Sequence, residues 1–297
     1  MNKYGINTHV PNAEDITQCV ELGVPWIRCD FNWFQIETEK DIYNWSFIDE
    51  VVNMAQSNCL NILATLAYTP PWAGNGKTTS IPNDINDWGN FATAAAERYN
   101  NRITHWEIWN EPNLDTFFDG DADDYSDLLK IASTQIKLIN SNNKVCGPAL
   151  SHQGNMGDKK FWYSWIKKIA KHSQYLDILT HHIYKDPNWY HLWRKLDGLT
   201  IPFYEGENLS CVKKRYFSNT DFWITETGYR TDKTNGESLQ SSNYEKCMKG
   251  LNSRSWIKNV LVYELKDDPN APNMWGLFRP DGTPKPAVET FKKYSKN

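Results

Sequence analysis

His105-Trp106-Glu107-Ile108-Trp109-Asn110-Glu111-Pro112-Asn113 reads as a short strand rich in aromatic and β-branched residues, with Glu111 the last residue before the breaker Pro112. A second run, Phe222-Trp223-Ile224-Thr225-Glu226-Thr227-Gly228-Tyr229, has the same form, and there Glu226 precedes Thr227-Gly228. Outward from these two, six further runs of the same kind alternate with stretches of helical period. The predicted strands are Tyr4 to His9, Trp26 to Trp33, Asn61 to Tyr68, Thr104 to Asn110, Lys144 to Leu150, Asp177 to Tyr184, Asp221 to Thr227 and Asn259 to Leu265. The predicted helices run from Asp15 to Leu22, Trp45 to Ser57, Asn86 to Tyr99, Asp123 to Ile139, Phe161 to Lys171, Ser238 to Asn252 and Pro286 to Tyr294. The sixth unit, Pro187 to Asn219, is a long connection with room for two short helices. Strand-helix alternation of this kind marks parallel βα units, and eight of them without a linker or repeat point to a single (β/α)8 TIM barrel, one domain over residues 1–297.

Length and composition agree with that fold. A chain of 297 residues accommodates one barrel of about 250 residues. The charge balance of 32 basic against 36 acidic residues gives −4, so no positive field is available to hold nucleic acid or an anionic membrane. The longest apolar run, Ile62 to Tyr68, is a strand and far short of the roughly 20 residues of a membrane span. Six cysteines are spread without metal-finger spacing and read as thiols. With no zinc-type ligand cluster and no glycine-rich phosphate loop, neither a metal nor a cofactor is expected. The first strand begins a few residues after Met1, so the chain is either cytoplasmic or one whose signal peptide has been removed, the extracellular reading being slightly favoured. The 14 Trp, 15 Tyr and 12 Phe supply flat apolar rings with polar tips, suited to sugars as well as to core packing.

In a barrel of this type chemistry sits at the C-terminal ends of the strands. Glu111 and Glu226 both stand there, on strands that face one another across the mouth. Two carboxylates around a ligand suit glycoside cleavage, in which one carboxylic acid protonates the leaving oxygen while an ionised partner attacks or activates water.

The stretches Trp106 to Asn113 and Trp223 to Gly228 resemble the strand-four and strand-seven signatures of clan A glycoside hydrolases, most closely family 39, with family 5 next. Gly23-Val24-Pro25-Trp26-Ile27-Arg28, Pro70-Pro71-Trp72-Ala73, His182-Ile183-Tyr184, Gly276-Leu277-Phe278 and Pro284-Lys285-Pro286 extend the likeness over nearly the whole chain. The resemblance implies Glu111 as acid/base, Glu226 as nucleophile and retention of configuration, with carboxyl groups roughly 5 Å apart. It also implies that Asn110 binds the 2-hydroxyl of the sugar being cleaved and that Arg28 and Tyr184 contact Glu226. Tyr263, at the end of strand eight, takes the place of an aromatic ring set against the sugar.

By strand alternation His182 shares the face of Tyr184 and lines the site, whereas His181 is structural. Glu107 is expected lower in the barrel, paired with Arg28. Trp72 and Trp275 are the expected sugar platforms, and Glu205 and Glu207 are expected in a solvated loop. Family members of the xylosidase type carry an additional β-rich domain, and here the last helix ends the sequence. That difference favours a monomeric bare barrel with an open groove, cutting inside a polysaccharide. Three readings compete with it: an exo-acting β-xylosidase-like enzyme, a transglycosylase using the same two Glu, and a barrel that only binds glycans.

Overall fold

The computed structural model describes residues 2–188, 191–232, 236–271 and 273–296. Eight parallel strands, β1 (Tyr4–His9), β2 (Trp26–Asn32), β3 (Asn61–Ala67), β4 (His105–Ile108), β5 (Lys144–Ser151), β6 (Ile178–His182), β7 (Asp221–Thr227) and β8 (Asn259–Val262), close in sequence order, β8 pairing with β1. The helices are α1 (Ala13–Leu22), α2 (Trp33–Ile36), α3 (Ser46–Ser57), α4 (Ile85–Arg98), α5 (Ala122–Ile139), α6 (Trp162–Ile169), α7 (His191–Leu196), α8 (Pro202–Glu205), α9 (Leu209–Tyr216), α10 (Gly236–Asn252) and α11 (Pro286–Ser295). This is the (β/α)8 barrel expected from the sequence.

Local chemistry sets the element boundaries. Asn12 and Asp15 form a reciprocal capping box that starts α1, and Gly23 at φ 70° ends it. Asp121 and Asp124 start α5 in the same way. The fourth strand ends at Ile108, two residues early, because the chain turns at once into left-handed backbone: Trp109 has φ 66° and Glu111 φ 42°. His9 and Tyr68, at the ends of β1 and β3, are also left-handed, at φ 54° and 71°. Strain of about 1–3 kcal/mol per residue is thus concentrated at the mouth, held in place by the surrounding packing.

Period-two alternation divides the residues of each strand between the barrel lumen and the helix layer. On β2, Trp26 closes the bottom against His105 and Trp223, with ring centroids 4.7 and 5.0 Å away. Arg28 sits higher and Asp30 reaches the mouth cavity, while Ile27, Cys29 and Phe31 join the apolar layer under the helices. That layer holds an aromatic cluster in which Trp88 of α4 lies 5.6 Å from Trp33 and 5.7 Å from Trp109.

The sixth connection carries three helices, α7 to α9, where two were expected; of its residues, 189 and 190 lie outside the described ones. Glu205 is not a solvated loop residue. It is buried, because Arg194 and Lys195 reach its carboxylate at 2.8 and 2.5 Å. All six cysteines are free thiols, Cys59 and Cys211 exposed and the other four buried. Among the described residues no helix is long and apolar enough to cross a membrane.

Candidate active site

Arg28 fixes the floor of the site. Its Nε donates to Glu107 Oε2 at 2.6 Å, one Nη to both Glu226 Oε1 at 2.7 Å and Asn7 Oδ1 at 2.9 Å, and the other Nη to Asn110 Oδ1 at 2.9 Å. Burial works against the guanidinium charge, but Glu107 and Glu226 outweigh it and raise its pKa further above the ordinary arginine value. Burial likewise opposes the charge of Glu107, and Arg28 and His182 override it, so its carboxyl titrates below the usual glutamate range. Glu107 is therefore the structural partner of Arg28, as its strand position suggests. Thr65 also donates to it, at 3.1 Å.

Above this floor the two glutamates face each other. Tyr184 Oη donates to Glu226 Oε2 at 2.5 Å, and its hydroxyl is held protonated by burial and by the charges of Glu226 and Glu111. The His182 ring lies between the carboxylates, with Nδ1 3.0 Å from Glu111 Oε1 and 3.4 Å from Glu226 Oε2. One carboxylate oxygen of each glutamate and a His182 ring nitrogen all lie within 4.8 Å of one another. Because Asn110 Oδ1 accepts from Arg28, its amide nitrogen points the other way, where it meets Tyr68 Oη at 3.2 Å.

The cavity between the glutamates has a volume of about 130 Å³, and its rim includes residues that the sequence reading missed. His9 bridges Asp30 at 2.9 Å and Glu264 at 3.1 Å. Crowding at the mouth opposes a charge on the imidazole, but these two carboxylates prevail and push its pKa up to about 10. Asp30 is held below the usual range against its burial by His9 and Arg28. Asp30 could have been found, since it lies two residues beyond Arg28 on the same face of β2; Glu264 follows the last strand and carries no comparable signal. Tyr263 lines the cavity, its ring edge-on to His9 at 5.6 Å and to Tyr184 at 6.2 Å.

Neither tryptophan expected as a sugar platform lines this cavity. The indole N–H of Trp72 donates to the Glu37 carbonyl at 2.7 Å and its ring packs edge-on against Trp33, so it belongs to the aromatic cluster. Trp275 stands behind Tyr184, at 5.0 Å, with Arg230 over its ring. His181 is structural, bonded to His152 at 3.0 Å. Glu111, His182 and Glu226 together offer three donor atoms to a cation, but Arg28 already brings a positive charge to 2.7 Å from Glu226, and a metal ion there would be repelled by it.

The family model described as Glycosyl hydrolases family 39 matches residues 17–244, a span that includes both glutamates. A β-xylosidase of Geobacillus stearothermophilus is 24% identical over 161 residues, which are 49% of this chain and 31% of that protein. The chain thus matches less than a third of that curated relative's length. A family 39 glycoside hydrolase of Bacteroides cellulosilyticus superposes with a TM-score of 0.73 at 20% identity, covering 99% of this chain and 63% of the other. A monomeric β-xylosidase of Caulobacter crescentus superposes with 0.70 at 19% identity, covering 98% and 67%. At such identities the superpositions establish the fold. The family model, matched over about three quarters of the chain, goes further: this chain belongs to glycosyl hydrolase family 39.

Proposed function

We propose that the protein is a retaining β-glycosidase, and the observation that carries this reading is the pair of carboxylates within 4.8 Å of each other across one cavity. Retaining enzymes place their carboxyl groups about 5–5.5 Å apart, whereas inverting enzymes leave about 6.5–9.5 Å for a water molecule. Glu226 accepts hydrogen bonds from Arg28 and Tyr184, which aim it as the nucleophile at the anomeric carbon. Glu111 protonates the departing oxygen. The bond to the leaving sugar breaks as the Glu226 ester forms, and Glu111, now a carboxylate, takes a proton from the water that hydrolyses the ester. The Asn110 amide nitrogen is turned to donate to the 2-hydroxyl, a bond that strengthens in the transition state. His182 orients Glu111, and Tyr263 supplies a ring wall.

Glu226→Gln should lower turnover on the order of 10⁴-fold or more. Glu111→Ala should cost about 10²–10⁴-fold on substrates with poor leaving groups and much less on activated aryl glycosides. Following the anomer first released by NMR checks retention, and a Glu226→Gln protein with undiminished hydrolysis would overturn the assignment.

The finer reading is cleavage within a chain, supported by a second cleft on the far side of Tyr184 with room for a neighbouring sugar. Removal of a terminal xylose is the second reading, favoured by the β-xylosidases among the relatives. An early fall in viscosity of a polymer with mixed oligomers supports the first, and release of a monosaccharide alone supports the second. We take the working form to be a monomer, as the Caulobacter crescentus relative is described, and the compartment to be extracellular.

A further inference from the structure

Beyond Tyr184 a second cleft, of about 530 Å³, opens between the loop after β5 and the connection that carries α7 and α8. Tyr184 stands between the two spaces: its hydroxyl binds Glu226 on one side and the residue lines the cleft on the other. The cleft is polar, and its charges do not balance. Lys185 is half-buried and, among the described residues, pairs with no carboxylate. Glu205 is fully engaged: one oxygen takes Arg194 at 2.8 Å and Lys195 at 2.5 Å, and the other takes the Ile201 N–H at 2.9 Å. Asp158 accepts the N–H of Asn155, and Lys160 adds a further cation at the rim. His152, fully buried in the wall, bonds His181 through Nδ1 while its Nε2 has no partner.

Two effects show how tightly these cations are gathered. Burial and the neighbouring Lys195 both pull the Lys185 ammonium below its ordinary pKa. Burial, His181 and the two lysines push His152 well below its usual value, so its ring is neutral. A half-buried ammonium beside another, without a counter-ion, is costly in isolation, and an anion placed between them removes the cost.

We propose that this cleft receives an anionic substituent, a carboxylate or a sulfate ester, carried by the sugar unit next to the bond being cleaved. The proposal rests on the glycosidase reading of the neighbouring site and narrows its substrate to acidic glycans. Lys185 and Lys195 grip the anion, and the polar side chains around them meet the hydroxyls of the same unit.

The test is titration calorimetry on the Glu226→Gln protein with four probes: a neutral xylo-oligosaccharide, the same chain bearing a glucuronic acid branch, its carboxyl-reduced form, and a sulfated form. The acidic chain should bind about tenfold more tightly than its reduced form, as expected for a charge-assisted contact, and the advantage should shrink with added salt. Lys185→Met should abolish the preference, Lys185→Arg should keep it, and Lys130→Met, on the exposed face of α5, should leave it untouched. The tighter of the carboxylated and sulfated chains identifies the substituent. Equal binding of the acidic and reduced chains, or a preference that survives Lys185→Met, overturns the proposal. Wild-type protein that cleaves neutral and acidic chains equally well sinks the anion subsite alone; wild-type protein that cleaves no chain sinks the glycosidase reading.

Discussion

Arg28 joins β2 to β1, β4 and β7 through side chains alone, since Asn7, Glu107, Asn110 and Glu226 all accept its hydrogen bonds. Arg28→Met would leave Glu107 buried without its cation and should cost about 3–5 kcal/mol, measured by urea denaturation. Lysine should not repair it, because a point charge cannot match the fork that serves four acceptors. His9 gives a prediction of different sign. Its pKa rises from 6.5 to about 10 on folding, so its contribution is full below about pH 6.5 and lost as pH rises through about 10. His9→Gln should flatten the alkaline limb of the stability profile; variant and wild-type curves that run parallel between pH 6.5 and 10 would refute it. Glu111 and Glu226 were legible because each precedes a chain breaker at a strand end. Asp30, His9 and Glu264 were harder to see as one group, since only closure of β8 on β1 brings them together.

At the level of elements, strand positions could be read from β-branched and aromatic runs, and most helices from their period. The fourth strand was overextended because nothing in Trp109 or Glu111 as residue types announces a left-handed backbone. The sixth connection resisted because α7, α8 and α9 are short and lean on neighbours for stability, as Arg254 pairing with Asp197 shows. The place of Trp72 beside Trp33 was not legible, because a loop tryptophan reads the same whether its polar tip meets solvent or, as here, the Glu37 carbonyl. The tie between α4 and β4 gives a test. Trp88 supports Trp109, the residue before Asn110, and its indole donates to the Leu128 carbonyl of α5. Trp88→Ala should cost about 3–5 kcal/mol and also lower kcat, because Asn110 and Glu111 lose their backing. A melt shifted by that amount with kcat unchanged would show that the cluster supports the fold only.

For the whole molecule, eight alternating units with no break were enough to give the closed barrel, because βα connections are right-handed and their order follows the chain. With six free thiols, stability should be the same with and without a reducing agent, which paired thermal melts check; a midpoint that falls in reductant would reveal a disulfide. The arrangement around Arg28 also divides the barrel unevenly. Residues before β5 hold Asn7, Arg28, Glu107, Asn110 and Glu111, while those from β5 onward hold His182, Tyr184 and Glu226. A first half cut free would keep its buried ion pair intact, whereas a second half would carry Glu226 stripped of Arg28. In the barrel core the two fragments are thus unequal partners: the first keeps the cation of its buried carboxylate and the second does not, so reassembly would be drawn by an unpaired anion seeking its cation as well as by open strand edges.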